Sequence, residues 1–293
     1  MARCLVTGHK GFIGSCLYKK LKDLGHEVQG IDSSLDQHNS SHNILQELKE
    51  GCNNDFYWRF KPEYIFHLAC WPRVSLSIED PVGTMYNNVM ATSYVLSFAR
   101  KVGAKRVIYS SSSSVVGNGN GPTSPYGLQK LTSEMECKLY SELFNLDTVS
   151  LRYFNVYSEE QKADGPYATA IANWMEYIRQ NLTPFITGDG EQRRDMLHVN
   201  DAVNANIFAM NFQQKFNGKN YDVGTGENIS LNEIKEIVNK YFPILKFDFT
   251  KARPNEVQQT KAKTKLLKDS GWKAEISIEK GINSCFKKLR KEV

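Results

Sequence analysis

No apolar run in the sequence is long enough to span a bilayer, which excludes a helical membrane protein. The start of the chain shows no charged region leading into an apolar core and a cleavage site, so a cytoplasmic location is expected. Cysteine is sparse: there are six, at positions 4, 16, 52, 70, 137 and 285, without Cys-x-x-Cys pairing and without histidine companions at metal-ligand spacing. Free thiols in a reducing compartment and no metal centre follow. Low-complexity linkers and internal repeats are also missing. What remains is a 293-residue globular chain with 41% hydrophobic residues, enough for one large or two smaller domains.

An excess of charge of one sign is lacking except at the end. The net charge is +5, but twelve basic and five acidic residues follow from Lys251 onward, so this tail carries +7 and the rest −2. Its lysines are scattered among apolar helix positions rather than blocked together, which reads as a solvated surface and not as a nucleic-acid footprint.

The most informative stretch is Val6-Thr7-Gly8-His9-Lys10-Gly11-Phe12-Ile13-Gly14. Arg3 to Thr7 is a short buried strand, and Ile13, Leu17, Leu21 and Leu24 recur at helical spacing until Gly25. A strand that breaks into a helix at three closely spaced glycines presents unpaired backbone N–H groups and a positive dipole end to an anion, with no side chain in the way. The context predicts dinucleotide binding. Asp32 ends the next strand, Val28 to Ile31, eighteen residues beyond Gly14. A carboxylate there accepts the ribose hydroxyls and repels a 2′-phosphate, which selects NAD over NADP despite Lys10 in the turn.

Further strands are expected at 64–69, 106–110 and 148–153, with helices from Pro81 to about Arg100 and from Tyr126 to Phe144 between them. The latter carries Leu128, Leu131, Met135, Leu139 and Leu143 on one broad face. Residues 33–55 are polar and offer no third strand. His67, among apolar neighbours, reads as a core histidine with satisfied hydrogen bonds. Short apolar strands separated by helices predict an α/β fold, a doubly wound parallel sheet of Rossmann type with ligands at the carboxyl ends of its strands. Beyond Asn155 the rhythm changes. A helix over 168–181, a Gly188-Asp189-Gly190 turn, Arg193-Arg194-Asp195 and a capping box at Ser230 to Glu233 suggest a smaller C-terminal lobe built from separated segments. The expected division is 1–158 with 189–224 for the cofactor, and 159–188 with 225–293 for substrate, with substrate held in the cleft between the lobes.

Tyr126 and Lys130 place a phenol and an ammonium four residues apart on one helix face. A fixed cation favours phenolate, so the pair makes a usable base. Tyr109 is followed by five serines ending a strand on the ligand side of the sheet, and a serine there can share a hydrogen bond with a substrate oxygen.

Taken in order, Thr7-Gly8-x-x-Gly11-Phe12-Ile13-Gly14, His67-Leu68-Ala69, Asn87-Asn88-Val89, Tyr126-x-x-x-Lys130, Leu151 to Tyr157, Gly188-Asp189-Gly190 with Arg194-Asp195, and Tyr221 to Gly224 resemble the extended short-chain dehydrogenases/reductases. These are NAD-dependent nucleotide-sugar epimerases and dehydratases, and the resemblance runs over essentially the full chain. It implies Ser112, Tyr126 and Lys130 as catalytic residues. It implies Gly8, Gly11, Phe12, Ile13, Gly14, Asp32, Leu68, Ala69, Asn88 and Tyr153 around NAD, with Tyr126 and Lys130. Asn155, Arg194 and Arg253, with Ser112, would take the nucleotide sugar. Dehydratases of this family carry Asp-Glu after the catalytic hydroxyl, where this chain has Ser113 and Ser114, and decarboxylating relatives carry Glu at the Ser114 position. The expected outcome is therefore 4-epimerisation of a nucleotide-activated hexose, such as a UDP-sugar, through a 4-keto intermediate. The alternatives are a keto-sugar reductase or dehydrogenase and, from another class, a non-catalytic cofactor-binding protein. The resemblance also implies a homodimer through the helices near 86–100 and 126–144. The chain departs from the family pattern at Val116, Ser158, Asn255-Glu256 and Lys263.

Overall fold

The computed structural model describes residues 1–33, 48–49, 55–72, 74–117, 119–163, 169–252 and 257–293. Contacts divide it into two compact units: residues 1–116, 120–152 and 203–221 form one, and residues 117–119, 153–202 and 222–293 the other. Residues 117–119, 153–158, 189–202 and 222–224 fall in the second unit, where the sequence groups them with the first.

The central sheet has six strands: β1 (Arg3–Thr7), β2 (Glu27–Ile31), β3 (Tyr64–His67), β4 (Arg106–Ser112), β5 (Asp147–Tyr153) and β6 (Asn220–Val223). Their order is β6-β5-β4-β3-β1-β2. The β1 pairs with β2 and β3 are parallel, as is β3 with β4, in a register that aligns Leu5 with Gln29 and Ile65, and Ile65 with Val107. The expected doubly wound parallel sheet is therefore present. Four of the five residues of β1 and six of the seven of β4 are buried, which is what a sheet covered on both faces demands of its strands. Leu5, Ile65 and Val107 point to one side, where Val95, Leu96 and Ala99 of α2 (Ala91–Val102) complete a core. The first helix, α1 (Phe12–Asp23), follows β1 directly and buries Gly14, Leu17 and Leu21.

The expected single helix from Pro81 is more elaborate. Pro81–Met85 starts it, capped by Asp80, whose carboxylate accepts from Gly83 N at 2.8 Å, and a π-helical turn, Tyr86–Met90, leads into α2. The Asn87 amide donates to the Gly83 carbonyl at 2.9 Å and the Thr92 hydroxyl to that of Asn88 at 2.8 Å, so side chains join the backbone ladder around this turn. A short helix over Val74–Glu79 lies between β3 and Pro81. Of the polar stretch without a legible strand, residues 34–47 and 50–54 lie outside the described residues.

The helix α3 spans Pro125–Phe144. Its broad apolar face is turned outward: Leu128, Met135, Leu139 and Leu143 are 50%, 65%, 49% and 63% exposed. The buried face carries Tyr126, Gln129, Lys130, Ser133, Glu134 and Cys137.

In the second unit, α4 (Ala170–Arg179), α6 (Leu231–Tyr241) and α7 (Ile278–Glu292) pack around a core that includes Trp174, Ile186, Val238 and Phe286. The helix α5 (Val199–Asn211) precedes β6 in the chain. The capping box is complete: Ser230 Oγ accepts from Glu233 N, and Glu233 accepts from Ser230 N. No helix among the described residues is long and apolar enough to cross a membrane.

Candidate active site

The glycine turn is built by backbone on backbone. A Cβ on Gly14 would sit 2.0 Å from the Gly8 carbonyl oxygen, and one on Gly8, at φ +72°, would sit 2.7 Å from Ala69 N. Only glycine lets β1, the start of α1 and the segment after β3 approach so closely. Gly11 caps α1 without any side-chain hydrogen bond, so the helix opens with its amide donors uncommitted to side chains. Leu68 N donates to Thr7 O at 3.1 Å and Ala69 N to Thr7 Oγ1 at 3.2 Å, which seats both against the turn. Asp32, 9% exposed, accepts from Lys10 N at 2.8 Å, so the carboxylate faces the same turn. An uncapped helix start, a side-chain-free cradle and a buried acid at the second strand end fit a dinucleotide. Phe12 and Ile13, half-buried, begin the helix.

His67 is the core histidine it reads as, hydrogen-bonded to Thr7 Oγ1 at 2.7 Å and to Thr92 Oγ1 at 3.1 Å; burial holds its imidazole down at about 3, hence neutral. Asn88, in the π turn, spends its amide on bracing: Oδ1 accepts from Trp71 N at 2.7 Å and Nδ2 donates to Gln129 Oε1 at 2.8 Å. It thereby ties the segment after Ala69 to α3.

At the end of β4, Ser112 Oγ accepts from Ser114 N at 3.2 Å and from Ser114 Oγ at 2.9 Å. Tyr126 lies in the first turn of α3, where Pro125 and the Ser124 cap start the helix, and its N–H donates to Ser77 Oγ at 3.0 Å. Lys130, only 2% exposed, donates to the Ser110 carbonyl at 2.7 Å and stands 5.8 Å from the Tyr126 ring centre and 4.9 Å from that of Tyr109. Ser112, Tyr126 and Lys130 are thus brought together. Burial pushes the phenol well above its ordinary range, while the Lys130 ammonium and, less strongly, the neighbouring Ser112 hydroxyl oppose the rise. The expected lowering by Lys130 is present but outweighed by desolvation in the chain alone. Beneath this trio, Glu134 receives the Ser111 hydroxyl and a two-pronged Arg152 guanidinium. These three residues go unread in the sequence; the one available signal is that Glu134 continues the four-residue spacing of Tyr126 and Lys130.

Within the second unit, a cavity of about 240 Å³ is lined by the aromatic Trp174, Tyr177 and Phe185 on one hand and by Asn155, Gln192 and Arg194 on the other. Among the described lining residues Arg194 is the one cation, and none is a carboxylate. Two of the four expected substrate residues therefore share one cavity; Ser112 belongs to the first unit, and Arg253 lies outside the described residues. Asn155 adopts φ +35° and its amide donates to Asp195 O at 2.8 Å and Thr260 Oγ1 at 3.2 Å. Between Arg194 and Met196, the buried Asp195 gathers Thr225 N at 2.9 Å, Thr225 Oγ1 at 2.8 Å, Gly226 N at 2.9 Å and Ala262 N at 3.1 Å, fixing the wall that carries Arg194. Burial raises its carboxyl and these donors oppose the rise. Tyr153, the last residue of β5, is buried.

The model of the NAD dependent epimerase/dehydratase family matches residues 4–224. A UDP-glucose 4-epimerase of Mycolicibacterium smegmatis is 29% identical over 310 residues, covering 96% of each chain. A UDP-N-acetyl-alpha-D-glucosaminuronate decarboxylase of Bacillus cytotoxicus is 29% identical over 320 residues, covering 98% of each. The crystal structure of UDP-glucose 4-epimerase from Thermotoga maritima with UDP-glucose is similar at a TM-score of 0.89 and 27% identity, with 99% of both chains covered.

Proposed function

The chain belongs to the NAD-dependent epimerase/dehydratase family, and from that premise we propose that it inverts carbon 4 of a nucleotide-activated hexose, a UDP-sugar, through a 4-keto intermediate. The observation that carries this reading is the Ser112–Tyr126–Lys130 trio with serine at both following positions, 113 and 114. No carboxyl group stands there to protonate a leaving hydroxyl or to steer a decarboxylation. The simplest chemistry left to the trio is removal and return of hydrogen at one carbon.

NAD, when bound, supplies a hydride acceptor and a positively charged ring. Gly8, Gly11, Phe12, Ile13 and Gly14 would hold its pyrophosphate, Asp32 its ribose hydroxyls, and Leu68, Ala69 and Tyr153 the remainder, with Asn88 supporting the cofactor indirectly by bracing the segment after Ala69. Tyr126 takes the proton of the sugar 4-hydroxyl as carbon 4 is oxidised, and Ser112 shares the hydrogen bond to the same oxygen. Lys130 holds the phenolate charge. After the keto sugar turns over, Tyr126 returns the proton as the opposite face of carbon 4 is reduced, so no net redox partner is consumed. The aromatic cavity with Asn155 and Arg194 suits a base and a diphosphate, for which a guanidinium fork is a good match. The outward apolar stripe of α3 favours a homodimer formed through that helix and the exposed Val82, Tyr86 and Met90.

Proton NMR of the purified protein with UDP-glucose, UDP-galactose and their N-acetyl analogues, without added cofactor, tests the reading. Interconverted sugar signals support it and identify the substrate. No interconversion, with stoichiometric consumption of added reduced cofactor by a keto sugar, refutes it in favour of a reductase.

A further inference from the structure

Successive residues at the end of β4 are gripped by successive turns of α3. Lys130 Nζ donates to the Ser110 carbonyl at 2.7 Å. One turn on, Glu134 Oε1 accepts from Ser111 Oγ at 2.5 Å and from Arg152 Nε at 2.7 Å, while Oε2 accepts from Arg152 Nη2 at 2.6 Å. The Glu134 side chain is 3% exposed and that of Arg152 19%. An apolar pair of equal volume would hold two elements together as well as a buried ion pair does. It would not hold a hydroxyl-bearing strand end in one register, which needs a directional acceptor. The next residue along the strand is Ser112.

We infer that Ser111, Glu134 and Arg152 form a positioning network that fixes the end of β4 on α3 and so sets where the Ser112 hydroxyl stands relative to the Tyr126 phenol. The inference rests on the proposed role of Tyr126 as proton acceptor. Arg152 from β5 anchors the carboxylate, the carboxylate anchors Ser111, and the backbone transmits the placement to Ser112. The titratable and charged groups facing the phenol are Lys130 on its own helix, Tyr109 on β4 and Cys70 after β3. Those facing Glu134 are Arg152, Tyr109 and Cys137. Removing the Ser111 hydroxyl leaves every one of these charges in place, so Ser111→Ala isolates geometry from electrostatics.

The test uses the NAD-bound protein labelled at the tyrosine Cζ with carbon-13, the Tyr126 resonance being the one missing from Tyr126→Phe. In Ser111→Ala that resonance should move at constant pH. The acid limb of the kcat profile should rise by about one pH unit, and kcat at neutral pH should fall about tenfold. The sugar KM should stay within about twofold, and bound NAD and Tm should be unchanged. Ser111→Thr, which keeps the hydroxyl, should restore both signals. An unmoved Tyr126 resonance overturns the inference, whatever happens to kcat, as does a loss of kcat matched by an equal loss of bound NAD or folded protein. Absence of turnover in the unsubstituted protein with every sugar would count against the proposed reaction instead, because the resonance is read without turnover.

Discussion

Replacing Gly8 by alanine separates two demands that the glycine turn makes on its backbone, and Gly25 supplies the control. Gly8 sits at φ +72°, and a Cβ there would lie 2.7 Å from Ala69 N and 2.9 Å from Ala69 Cα. Both are main-chain atoms, so the segment after β3 must move. Gly25, at φ +80° beyond α1, would place a Cβ in open space. A left-handed backbone costs a non-glycine residue about 1–2 kcal/mol at either position, and overpacking adds about 1–3 kcal/mol at Gly8 alone. Gly25→Ala should therefore lose about 1–2 kcal/mol, and Gly8→Ala about 2–5 kcal/mol, in urea unfolding at unchanged m. The displaced Leu68–Ala69 segment borders the proposed pyrophosphate cradle, so purified Gly8→Ala should also carry far less NAD, whereas Gly25→Ala should carry the normal amount. Equal stability of the two variants with full NAD content in both would refute the packing argument.

Tyr126→Phe should lower turnover by at least about a hundredfold, the usual worth of a positioned acid–base group, while bound NAD, measured by absorbance after acid release, remains; retained turnover would remove Tyr126 from its role. In the second unit, His198 and Ser284 hydrogen-bond Glu159 and hold its carboxyl at about 2, well below the usual carboxylate range. A depressed carboxyl contributes stability that is present above its ordinary value of about 4.3 and is lost as pH falls toward 2. Thermal unfolding followed from pH 5 to pH 2 should show a steeper loss for the native chain than for Glu159→Gln, and parallel curves would contradict the assignment. Met135→Glu, on the exposed stripe of α3, should give a monomeric mass in light scattering with unchanged circular dichroism, if the native chain pairs there.

Much of the fold is legible because strands buried on both faces are written as apolar runs; β1 carries both its boundaries in the sequence, as does the capping box at Ser230, whereas β4 runs on through Ser111 and Ser112, two residues past the end expected from its apolar stretch. His67 is legible for the same reason, having only apolar neighbours in sequence and therefore a buried place. The orientation of α3 is not. Periodicity reports that Leu128, Met135, Leu139 and Leu143 share a face, but the buried side is decided by tertiary partners, and here the polar face holds Tyr126 and Lys130 against β4. The π turn at Tyr86–Met90 depends on side-chain bonds such as that of Asn87 to Gly83, which no pattern of hydrophobicity encodes. Glu134 is hidden for a further reason: its partners Ser111 and Arg152 lie 23 and 18 residues away on separate strands.

The hub at Asp195 also sets a timetable. Its partners Thr225 and Gly226 follow it by 30 and 31 residues and Ala262 by 67. On a ribosome adding about 5–20 residues per second, the carboxylate waits roughly 3 to 13 s for its last donor. β1 and β2 and the glycine turn have emerged by then. The growing chain therefore has a stage at which the glycine turn is complete while the wall bearing Arg194 is still open, so the site proposed for the sugar nucleotide is among the last parts of the protein to be finished as it is made.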